Sequence, residues 1–287
     1  MAPAPGGSAV VTTHAGHHAA TGADLGAWLV PLVLVLVTAG IYLAGTWRWR
    51  LRRGRAWDPW RTAGWVAGTV VIALALSPLT DSPTARAHMV QHLLLGMLAP
   101  IGLVMGAPVT LLLGVLRPDA ARVLTAVLRT RAFHLLSHPV TAAVLSVGGM
   151  FVLYLTPLYA LSTESTTVHH LVHAHFLIAG YLFAWAIAGP DPAPRRPGMT
   201  TRVVVLVLAG AAHAYLAKVL YARAGELPPG TDYAVSDMQA GAQWMYYGGD
   251  FVDILLATAL FATWLKRRSR SREAVGVGSS RVGTPRT

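Results

Sequence analysis

Residues 168–189 read VHHLVHAHFLIAGYLFAWAIAG. Four histidines, His169, His170, His173 and His175, fall within seven residues, and the chain beyond them is apolar. An uncharged run of about 20 residues is long enough to cross the hydrocarbon core of a bilayer as a helix. The stretch therefore reads as a transmembrane helix with imidazoles crowded at its mouth. The rest of the chain has the same character. Its 287 residues are 54% hydrophobic and only 12% charged, about half the charged fraction of an ordinary soluble domain, and the mean hydropathy is +0.50.

Apolar runs near 24–46, 60–79, 87–115, 139–158, 168–189, 202–222 and 238–265 predict about seven transmembrane helices in one all-α bundle. The third run carries Pro100 and Pro108 with Gly102 and Gly106 between them. It predicts a kinked span with a break at residues 106–108. Basic residues alternate between connections. The stretch WRWRLRRGRAW holds five arginines, residues 117–131 hold Arg117, Arg122, Arg129 and Arg131, DPAPRRPGMTTR holds Arg195, Arg196 and Arg202, and KRRSRSR opens the C-terminal segment. The intervening connections are poor in Lys and Arg. This is the positive-inside pattern, and it predicts an outside N-terminus and a cytoplasmic C-terminus. The net charge of +11 is then a topology signal, helped by anionic lipid, and not a nucleic-acid footprint. Residues 117–137 read as an amphipathic cytoplasmic surface segment, residues 1–23 as a disordered outer tail without the form of a signal peptide, and residues 266–287 as a basic cytoplasmic tail. His14, His17 and His18 in the first tail could hold a metal loosely.

With this orientation several histidines reach the outer half of the membrane. His88 and His92 are four apart, as are His169 and His173, so each pair shares a helix face. His213 lies midway along the sixth run, and His175 points to another face of the fifth. Cysteine is absent, so a metal would need His, Met or carboxylate ligands. The spacing makes His88, His92, His169 and His173 primary candidates for copper or zinc, with His175 and His213 second and Met89, Met238 and Met245 auxiliary. Along the seventh run Gln239, Gln243, Tyr246, Asp250 and Asp253 recur at helical spacing. An acid placed that deep in lipid costs about 3 kcal/mol or more, which predicts that Asp250 faces the bundle interior with a partner such as His213, Lys218 or Tyr221. Haem held by two of the histidines, and a metal or proton path along Asp250 and Asp253, are the alternative readings. No hydrolase constellation or Walker loop is present.

The segments MVQHLLLGMLAPIGLVMGAPVTLLL, SHP (137–139) and HHLVHAHFLIAGYLFAWAIAGPDPAPRR, in that order and spacing, resemble the CtaG-type cytochrome c oxidase assembly factors of bacteria. The resemblance covers residues 28–265. It marks His88, Gln91, His92, Pro100, Pro108, His169, His173, His175, Gly180, Asp191 and Pro192. It implies a non-enzymatic plasma-membrane protein that helps copper reach the oxidase catalytic subunit, with that subunit and a copper donor protein as partners. Gln91, Asp250, Asp253 and Tyr246 are then expected to support ligands or relay protons. The paired cysteines of a different copper-assembly family are absent, so that mechanism does not transfer.

Overall fold

The computed structural model describes residues 25–80, 82–193 and 196–280, so the 1–23 tail and its three histidines lie outside the described residues. The described chain is helical: α1 Leu25–Arg53, α2 Pro59–Ala75, α3 Ala85–Leu93, a π turn Leu94–Leu98, α4 Ala99–Met105, α5 Pro108–Val115, α6 Pro118–Leu128, α7 Arg131–Leu136, α8 Pro139–Ala143, a second π turn Val144–Gly148, α9 Gly149–Leu155, α10 Leu158–Glu164, α11 Thr166–Ala188, α12 Met199–Ala222 and α13 Val235–Ser280.

Among the described residues, five helical stretches are long and apolar enough to cross a membrane: Gly26–Arg53, Ala85–Met105, Thr166–Ala188, Met199–Ala222 and Val235–Ser269. A sixth is the pair Pro139–Leu155 and Leu158–Glu164, bent by 80°. The expected straight run 139–158 therefore ends early. Pro157 between the two helices has no N–H to continue the ladder. The expected run 60–79 forms α2, whose 17 residues sit at the lower limit for spanning. The count is thus five to six, and the seventh rests on α2. Residues 117–137 form α6 and α7, and α6 buries only Leu128. The helix of the last run continues to Ser280, beyond the expected end at 265.

The third run breaks where expected, with Ala107 at φ 51° between α4 and α5. A non-glycine residue there costs about 1–2 kcal/mol, and nearby contacts hold it. The Tyr42 hydroxyl donates to the Gly106 carbonyl at 2.6 Å, and Trp57 Nε1 donates to the Tyr42 oxygen at 2.9 Å. Ala107 gives α5 no side-chain cap. The fully buried Asp191 supplies one from a loop some eighty residues away. It accepts from the Val109 and Thr110 amides at 3.2 and 2.7 Å and from the Thr110 hydroxyl at 2.5 Å. Burial pushes this carboxyl above the ordinary carboxylate range, while the Thr110 and Val109 donors and the nearby Arg61 draw it back. Asp191→Ala orphans three partly buried donors and should cost about 3 kcal/mol, with Asp191→Asn recovering part of it. Thermal unfolding in detergent checks this; equal stability of Asp191→Ala and wild type would refute the cap.

Two glycine pairs set the closest packing. Gly64 and Gly68 of α2 face Gly102 of α4 and Gly106 at its end, small residues four apart on each side as close membrane helix crossings require. A methyl group on Gly68 would lie 2.6 Å from the Leu103 nitrogen, and one on Gly102 would lie 2.6 Å from the Gly68 nitrogen. On the other side of the third run, a methyl on Gly180 of α11 would lie within 1.9 Å of the Gly96 carbonyl oxygen in the first π turn.

Basic segments gather at one end of the bundle. Arg52 reaches the Leu116 carbonyl, Arg267 reaches the Gly189 and Pro190 carbonyls, and Phe133 packs on Trp185. The first turns of α3 and α11 lie at the opposite end, where Asp237 accepts from the Ala85 amide at 2.7 Å and pairs with Arg86 at 3.7 Å.

Candidate metal centre

The two helix mouths bring four imidazoles together. Ring centroids of His88 and His92 are 4.3 Å apart, and those of His169 and His173 are 4.1 Å apart. Across the helices, His88 lies 6.1 Å from His169 and 6.2 Å from His173, and His92 lies 5.5 Å from His173. His88, His92 and His173 are buried. His169 is half-buried, and the exposed His170 stands 5.8 Å beyond it. The rings therefore form a series that runs from the surface inward.

Aromatic side chains from the bent segment and from α11 wall this cluster. The Tyr159 ring stands edge-on to His88 at 4.6 Å, and its hydroxyl donates to Tyr233 Oη at 3.2 Å. Phe176 packs on His92 at 4.8 Å. The Tyr154 hydroxyl lies 3.4 Å from His92 Nδ1. The Nε2 atoms of His88, His92 and His173 are buried with no hydrogen-bond partner among the described residues, and an unsatisfied buried polar group costs about 1–3 kcal/mol. As placed, no three His, Asp or Glu side chains among the described residues converge into a ligand-ready group. The cluster is crowded with imidazoles whose nitrogens are not yet aimed at one point.

Other expected site residues fall elsewhere. His175 is exposed, and its Nε2 donates to the Leu145 carbonyl at 3.1 Å. That carbonyl lies in the second π turn, whose widened winding disturbs the helical ladder. His175 thus ties α11 to this turn and stands apart from the four rings. His213 is buried against Gly249, where an added methyl would fall 2.2 Å from its ring. It borders a small cavity of about 20 Å³ with Ser146 and Asp253. Gln91 Nε2 donates to the Ala75 carbonyl at the end of α2, at 2.8 Å, so it joins two helices. Met89, Met238 and Met245 are buried in an apolar cluster with Met150, Tyr154 and Phe176. Tyr246 packs beneath Lys218, with the ammonium 5.2 Å from its ring.

The interior placement expected for Asp250 is not found: the residue is exposed. The buried face of α13 is made by Met238, Gly241, Ala242, Met245, Gly249, Val252 and Leu256. Small residues admit the neighbouring helix backbone, so they take the interior face and turn the polar stripe to the flank. Asp253, at the inner margin of that stripe, is half-buried, and its Oδ2 lies over Gly210. Tyr154, Tyr159 and Tyr233 were not singled out in the sequence. The signal available for the first two was their nearness to Pro157, which folds the bent segment over the histidines.

Comparison with known proteins gives the context. Residues 40–267 match the family described as cytochrome c oxidase caa3 assembly factor (Caa3_CtaG). Among curated relatives, the uncharacterized protein Mb0105 of Mycobacterium bovis is 33% identical over 243 residues, covering 77% of this chain and 37% of its own length. The uncharacterized protein ML1998 of Mycobacterium leprae is 30% identical over 248 residues, covering 80% and 38%. The chain thus spans under two-fifths of the length of these relatives. No solved structure matches it significantly. The match over most of the chain places it in a family: it belongs to the cytochrome c oxidase caa3 assembly factors.

Proposed function

We propose that this chain is a seven-span bacterial plasma-membrane protein, N-terminus outside and C-terminus cytoplasmic, that binds copper near its outer face and passes it to the oxidase catalytic subunit. A copper donor protein supplies the metal. The role is transfer and assembly, without enzymatic turnover. The observation that carries this reading is the cluster of His88, His92, His169 and His173, with three buried Nε2 atoms lacking partners. Two imidazoles sharing a tetrahedral metal, each nitrogen about 2 Å away, have ring centroids about 5 Å apart. The spacings of 4.1–6.2 Å lie on either side of that value, so binding requires the rings to turn until their nitrogens meet at one point. Imidazole ligands without thiolate suit copper held for transfer. His170 and His169 offer the way in from the surface.

The haem alternative fits less well, because a macrocycle would have to enter between rings already in contact. The transport alternative loses Asp250 from its path, because that residue is exposed and only Asp253 reaches inward. Detergent-purified protein loaded anaerobically with Cu(I) should retain one copper per chain. A purified chain that retains no copper removes the metal-binding part of this reading and leaves a scaffold for the oxidase subunit.

A further inference from the structure

At the basic end of the bundle, Arg196, Arg202 and Arg267 converge on the carbonyls that close α11. Arg196 donates to the Gly189 and Asp191 carbonyls, Arg202 to Ile187, and Arg267 to Gly189 and Pro190. Cationic side chains suit a helix C-terminus. The one carboxylate in this loop, Asp191, is taken by the start of α5. Arg196 Nε and Arg202 Nε are buried without a hydrogen-bond partner among the described residues.

A cavity of about 160 Å³ opens beside Arg196, several times what one water needs. His134, Ser137, His138, Trp185 and Arg196 are among its lining residues, and among the described residues no acidic side chain lines it. The Arg196 guanidinium lies over the Trp185 ring at 5.5 Å. His138 Nδ1 accepts from the Val140 amide at 3.3 Å, so a neutral His138 carries its proton on Nε2 and offers a donor. His134 is half-buried beside it. Burial, with Arg267 and Arg202 nearby, lowers the Arg196 guanidinium to about 10, so the group stays charged at neutral pH. Guanidinium and imidazole donors suit a phosphate oxygen.

We propose that this pocket binds a phosphate group, held by Arg196, His134 and His138. An anionic phospholipid headgroup and free phosphate share that chemistry. The site is independent of the histidines at the opposite end.

The test places the full chain in nanodiscs of phosphatidylcholine with or without phosphatidylglycerol, and separately titrates inorganic phosphate in phosphatidylcholine discs. Native mass spectrometry counts retained lipid, and thermal unfolding follows phosphate. His134→Ala/His138→Ala is the deciding variant because neither residue ties the loop at Gly189; its melting in phosphatidylcholine alone checks the fold. One retained phosphatidylglycerol per chain, weakened about tenfold in the variant, supports a lipid headgroup. Saturable stabilisation by inorganic phosphate, weakened alike with phosphatidylglycerol no better than phosphatidylcholine, supports free phosphate. Binding of neither probe, or binding the folded variant leaves unchanged, overturns the proposal.

Discussion

Replacing Gly102 with valine is expected to prevent the folded protein from accumulating, whereas Gly40→Val leaves it unchanged. A methyl on Gly102 would already lie 2.6–2.7 Å from the Gly68 nitrogen and Cα. Those are backbone atoms, so no rotamer change relieves the clash and α2 must move away from α4. In a membrane, helix association relies on close packing, without a hydrophobic drive between helices. Overpacking costs about 1–3 kcal/mol where side chains can yield, and a backbone obstacle sets the upper end of that range or beyond. Gly40 has nothing within 4 Å of such a methyl and controls for helix propensity. Yield and thermal unfolding in detergent measure both. Similar stability for the two variants would mean that α2 and α4 do not meet at these glycines.

The second large effect concerns the histidines. His88→Ala/His173→Ala takes one imidazole from α3 and one from α11 and should lower copper affinity at least ~100-fold, beyond the 10–100-fold that follows loss of a supporting hydrogen bond. His175→Ala should leave copper affinity unchanged, because His175 bonds to the Leu145 carbonyl. Titration with a competing Cu(I) chelator separates the cases. Equal losses from His175→Ala and the double variant would place the metal elsewhere. Unaltered binding in the double variant would remove the four-histidine site.

The local pattern was legible where it depended on one helix. The spacing of His88 with His92 and of His169 with His173 showed which imidazoles share a face, and the structure brings those faces together. The break beside Pro108 was legible because proline and glycine act locally. Relations between helices were not. The α13 stripe looked interior because burial was read from polarity, yet glycine, alanine and methionine occupy the interior. Asp191 was marked by resemblance alone, because nothing local tells that its carboxylate caps α5. His175 sits beside His173 in sequence, but its role depends on a π turn in a different segment.

That kind of turn has a consequence for the third run. His92 meets His173 and Phe176 of α11, while Gly102 meets Gly68 of α2. An uninterrupted α-helix would turn about 280° between residues 92 and 102 at ~100° each. The π turn Leu94–Leu98 accommodates one extra residue, which takes out about 100° of rotation. The two residues then point in nearly opposite directions. One span can therefore be clamped by a glycine seam on one side and offer imidazoles on the other. The wide turn acts as a phase shifter, setting the azimuth of the imidazole-bearing half against the half that anchors it.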